Sequence, residues 1–207
     1  MTATTGLSIR LLGKADIAFD GVKLTTLSSR ALPLFTILLL SDGPVMRDAI
    51  ARLLWRRVDV TSALASLRQL LHHLPPPLRA VIHTHRNEMS INHAALAQCD
   101  VLIAKDWLAK EPSAEPLLAI YAGALLANQT FDDLPEFDDW LNDQREHFAA
   151  KVREVVLAEV ISRRQRCKSE KSEKSERPKE DIATTLDLAQ ACLLLNAFVW
   201  IHSLVQR

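Results

Sequence analysis

Glycine is scarce in this chain. Five occur in 207 residues, and none stands in a GxGxxG run or a phosphate-cradling loop, so no nucleotide-binding fingerprint is present. The nucleophile elbow GxSxG and the zinc motif HExxH are missing too. Cysteine is as rare: Cys99, Cys167 and Cys192 are odd in number and widely spaced, which indicates neither a disulfide framework nor a zinc knuckle. A reducing cytoplasm is the expected setting. MTATTGLSIR lacks a basic stretch followed by an apolar run, so no signal peptide is read. No apolar run reaches the roughly 20 residues of a membrane span; ACLLLNAFVWIHSLV is interrupted by Asn196 and His202. The expectation is a protein without cofactor, metal, membrane partner or enzymatic activity.

What is present is a pattern of elements. Apolar residues make up 48% of the chain, enough for a packed core. LSIRLLG alternates Leu7, Ile9 and Leu11 against Ser8, Arg10 and Leu12, DIAFDG and VKLTT follow, and Asp20-Gly21 signals a hairpin turn. Three short strands are therefore expected before any helix. Ser28 and Ser29 are placed to cap a first helix, SRALPLFTILLLSDG, and VMRDAIARLLW reads as a second. In TSALASLRQLLHHL, Val60, Ala63, Leu64, Leu67, Leu70, Leu71 and Leu74 fall on one helical face, and Pro75-Pro76-Pro77 ends that helix. Val81-Ile82 and Met89-Ile91 flank the polar tip His85-Arg86-Asn87-Glu88, the pattern of a β-hairpin. Strands, three helices and a hairpin make an α+β winged helix-turn-helix with an N-terminal sheet, expected over 1–96.

From Asp100 the period is helical, and 97–207 is expected to be all-α. VLIAKDWLAK and PLLAIYAGALLAN precede a long helix that opens at Pro135 with Glu136, Asp138 and Asp139, where a fixed φ and negative charge are favoured. KSEKSEKSERPKE (168–180) reads as a charged linker or a frayed helix extension. LDLAQACLLLNAFVWIHSLVQR reads as a last helix. Its apolar residues exceed one packing face, so an apolar patch open to self-association is expected over 186–205.

The third helix and its surroundings carry the candidate site. A recognition helix enters the major groove and the wing reaches the adjacent groove or backbone. Gln69 suits adenine and Arg68 guanine or phosphate, while Thr61, Ser62, Ser66, His72 and His73 share the outer face. Arg86 at the wing tip suits a narrow minor groove; Arg30, Arg47, Arg56 and Arg57 would neutralise phosphates. His83 and His85 share a strand face, but their spacing demands no metal. Charge is uneven: residues 1–96 hold eleven Lys and Arg against six Asp and Glu, a surplus of five, and 97–207 carry the matching deficit.

LSIRLLG, LSSRALPLFTILLLSDGPVMRDAIARLLW and SLRQLLHHL together resemble the OmpR-type winged helix of the SARP-like (AfsR/DnrI-type) bacterial transcriptional regulators. DVLIAKDWLAKE through LLANQTFDDLPEFDDWLNDQREHF resembles the start of the bacterial transcriptional activation domain that follows it. The resemblance implies a tetratricopeptide-like helical domain, double-stranded DNA as ligand, and RNA polymerase, another helical protein or a second copy as partner. The competing class is a shortened regulator that acts as a protein-interaction module without binding DNA.

Overall fold

A computed structural model of the chain describes residues 6–110, 114–127 and 129–171, without the side chains of Arg164 and 166–171. These residues fall into two compact units, 6–102 with 125–144 and 103–124 with 145–171. The last expected helix and its apolar patch, and the charged tract beyond Lys171, lie outside them.

The first unit opens with a sheet. β1 (Leu7–Arg10), β2 (Asp16–Phe19) and β3 (Val22–Lys23) form an antiparallel meander. The period-2 alternation buries Leu7 and Ile9 and exposes Arg10, as a sheet with one covered face requires. The turn between β2 and β3 puts Asp20 at φ 49° and Gly21 at φ 79°, the two positive angles a tight hairpin turn needs. On the outer face Asp16 forms ion pairs with Lys23 and Arg10 at 2.9 and 3.0 Å, and these two cations, Lys23 first, hold its carboxyl below the usual range.

A fourth strand, unforeseen in the sequence, completes this sheet. β7 (Leu96–Cys99) lies parallel to β1, giving the order β3-β2-β1-β7. The expected boundary at 96/97 therefore falls inside a strand. Asp100, next in the chain, is 7% exposed and accepts the backbone N–H groups of Leu11 and Leu12 at 2.8–3.0 Å and that of Val101 at 2.7 Å. Burial pushes its carboxyl up from the ordinary value, against the pull of those three amides.

Between β3 and β7 lies the winged-helix part. α1 (Ala31–Leu40) is apolar nearly all round and buried from Pro33 to Leu39, which makes it the core helix. The expected serine cap is absent: Arg30 is the N-cap residue without a side-chain cap bond. Pro33, in the third helical position, has no N–H for such a cap to bind. The expected second helix is shorter than its pattern, because Val45–Met46 forms β4 and only Arg47–Leu54 forms α2. α3 (Val60–His73) is capped by Asp59, whose side chain accepts from Ser62 N at 3.0 Å. Its buried face begins at Ala63; Val60, expected inside, is 41% exposed. Prolines 75–77 end α3 and also start α4 (Pro76–Ala80), since proline suits a first helical turn. β5 (Ile82–His85) and β6 (Glu88–Ile91) form the expected hairpin, and β4 joins it in the order β4-β6-β5.

The expected helix 116–128 also stops early. α6 (Ala114–Ile120), which follows α5 (Asp100–Lys110), ends before Gly123 at φ 145° and Leu126 at φ 49°, angles no right-handed helix contains. Leu125 and Leu126 turn into the first unit, where Leu126 N donates to Leu11 O at 2.8 Å. α7 (Pro135–Lys171) begins at the expected proline with Glu136 and Asp138 in its first turn. Its continuous run through Lys171 shows that the start of the charged tract extends the helix. In the second unit Phe148, Val152 and Val156 of α7 are buried with Ala104, Ala114 and Leu117, and Tyr121 stacks on Phe148 at 6.2 Å.

Candidate nucleic-acid interface

α3 presents a face free of carboxylates: its sequence VTSALASLRQLLHH has no acidic residue. The apolar spacing that buries Leu67 and Leu70 turns Thr61, Arg68, Gln69, His72 and His73 to solvent. Among the described residues the side chains of Arg68 and Gln69 take no hydrogen bond or ion pair, so both are free to read a ligand. Ser62 and Ser66 are partly engaged. Ser62 Oγ donates to Asp59 at 2.6 Å and Ser66 Oγ donates to Ser62 O at 3.0 Å. The Ser62 hydrogen bonds hold the Asp59 carboxyl below its usual range. His73 Nδ1 lies 2.8 Å from Gln69 O, and its ring meets His72 edge-on at 5.3 Å.

The wing tip is built to display an arginine. Arg86 is exposed and sits at φ 51°, a left-handed conformation that costs an L-residue about 1–2 kcal/mol. Register pairs His85 with Glu88 across the turn. Arg47 stands beside it: its N–H donates to Asn87 O at 2.8 Å, which ties the start of α2 to the wing. Its Nε is buried with no hydrogen-bond partner among the described residues.

The remaining candidate arginines divide. Arg57 is exposed and unpaired among the described residues. Arg56 pairs with Glu136. Arg30 is clamped: Nε donates to Leu54 O at 3.0 Å, its charge lies 5.6 Å from the Trp55 ring centre, and Asp133 is 3.4 Å away. Asp133 just before α7 and Glu136 in its first turn thus lie against two of the expected phosphate contacts. Sequence reasoning also missed Arg79 on α4, whose side chain donates to His72 O at 3.5 Å at the end of α3, and the N-cap role of Asp59, for which an acid just before an apolar-periodic run is the signal.

An N-terminal sheet, a core of three helices, a hairpin wing and helices after it are consistent with a winged helix followed by a helical domain. No family model matches the sequence, and no curated protein does. Among solved structures the chain is similar to Mycobacterium tuberculosis EmbR in complex with low affinity phosphopeptide. The two share 16% identity at a TM-score of 0.52, over 93% of this chain and 58% of that one. At that identity the likeness concerns the fold.

Proposed function

We propose that the chain is a DNA-binding transcriptional regulator that acts by binding, without chemistry of its own. The observation that carries the reading is the carboxylate-free outer face of α3, with the side chains of Arg68 and Gln69 unengaged among the described residues, in a winged-helix setting. Its fold is shared with EmbR, a regulator of the SARP family, which supports the same reading. α3 would enter the major groove, with Gln69 and Arg68 on base edges and Thr61, Ser62, Ser66, His72 and His73 along the groove walls. Arg86 would reach the minor groove or backbone from the wing, and Arg47 and Arg57 would hold phosphates. The helical half would contact RNA polymerase, another helical protein or a second copy. The cytoplasm is the proposed location; no helix among the described residues is long and apolar enough to cross a membrane.

One observation favours a second reading, an interaction module without DNA affinity. Arg30 and Arg56, which the first reading assigns to phosphates, are held by Asp133 and Glu136. Gel shifts on a pool of random-sequence duplexes separate the two. Retention of the pool, weakening as salt rises, is expected; no retention at low salt would leave the interaction module standing.

A further inference from the structure

We propose that Glu136 is an internal competitor for the DNA backbone: it holds Arg56 away from phosphate, and duplex binding exchanges one anion for the other. The inference rests on the DNA-binding reading above. The pair is built for exchange. Arg56's side chain is 71% exposed, so its head group is free to swing, and pairs this exposed are weak. The acid stays in place. Leu134 and Phe137 on either side of it are buried, Leu134 N donates to Phe131 O at 2.7 Å, and Phe131 meets Phe137 edge-on at 4.9 Å. Pro135 fixes the backbone between them. Losing Arg56 does not strand Glu136 either, because the first turn of α7 offers it the positive end of the helix dipole. A cleft of about 410 Å³ opens beside the pair, lined by Trp55, Arg56, Arg57, Asp133 and Glu136 among others, so the arginine has room to move. Arg30 does not share this freedom, being fixed by Leu54 O and Trp55. The exchange would couple DNA binding to the start of the long helix.

The test is the affinity of the full chain for a short duplex, by fluorescence anisotropy, at low and physiological salt. Glu136→Gln is expected to bind about two- to fivefold tighter, the scale of one exposed ion pair. Asp132→Asn removes the same charge from an exposed neighbour that makes no ion pair among the described residues, and is expected to gain less. Combining Glu136→Gln with Arg56→Ala should remove the gain. Glu136→Asp, which shortens the same contact by one methylene, gives a second cut with the same expected direction, and circular dichroism melts identify any variant that fails to fold. An unchanged affinity in Glu136→Gln, a gain no larger than that of Asp132→Asn, or a gain that survives Arg56→Ala would overturn the exchange while leaving DNA binding intact. If neither the wild type nor Glu136→Gln binds duplex, the DNA-binding reading falls, and the exchange falls with it.

Discussion

Gln69 and Arg68 stand side by side on α3, and their roles separate by what each side chain can form. An amide pairs bidentately with adenine, and its loss removes selection at one base position. Gln69→Ala is expected to relax that position by about 1–3 kcal/mol of discrimination and leave the melting temperature unchanged, because the residue is exposed. Selection of bound sequences from a random pool is the measurement; the same sites chosen with the same stringency would remove Gln69 from recognition. Arg86 permits a sharper test because its backbone and its charge pull apart. Glycine accepts φ 51° without the penalty an arginine carries, so Arg86→Gly should stabilise the hairpin by about 0.5–1 kcal/mol. The same change should weaken DNA binding. A higher Tm with unaltered affinity would make Arg86 a mere turn residue.

At the scale of elements, two acids placed at helix starts do different work. Asp59 caps α3 while exposed, and its carboxyl is held below the usual range by Ser62. A depressed acid stabilises the fold above its unfolded value and loses that contribution as pH falls through the folded one. Thermal melts of wild type and Asp59→Asn are therefore expected to differ at neutral pH and to converge at the acid end; a gap that persists there would mean the charge is not what caps the helix. Asp100 is buried, and it satisfies the amides that end β1. Asp100→Ala leaves the Leu11 and Leu12 N–H groups unpaired, at a cost of about 2–5 kcal/mol by denaturant unfolding. Asp100→Asn, which keeps an acceptor, should cost less. The role of Asp100 was not readable from residue type, because it acts on residues about 90 positions away, whereas the Asp59 cap is local and leaves a signal in the sequence. Local chemistry was legible: the Asp20-Gly21 turn, the amphipathic α3, the hairpin tip and the proline that opens α7 all follow from near neighbours. What the sequence hid depends on distant partners. β4 and β7 are short strands defined by pairing with β6 and β1, and Leu126-Ala127 read as helix until the carbonyls of Leu11 and Gly13, which follow β1, claimed their amides.

For the whole molecule the decisive quantity is where the charge ends up. Read by halves, the front of the chain carries a surplus of five positive charges. Read by compact units, it does not. Residues 125–144 bring six acids and no base, Asp100 adds another, and the winged-helix unit holds eleven basic residues against thirteen acidic ones. Long-range attraction by net charge is thus weak, and affinity for DNA must come from short-range contacts made by a few arginines. That has a measurable signature. Each phosphate neutralised contributes about −0.9 to the slope of log K against log salt. Arg47, Arg57 and Arg86 make no ion pair among the described residues, and together they give a slope of about −2.7. Recruitment of Arg56 from Glu136 would steepen it to about −3.6. Arg57→Ala should flatten the slope by about 0.9 and lower affinity evenly across sequences, while Gln69→Ala should leave the slope alone and change only which sequences are bound. A slope near zero, or one that Arg57→Ala does not alter, would show that the arginines around α2 and the wing do not meet the backbone.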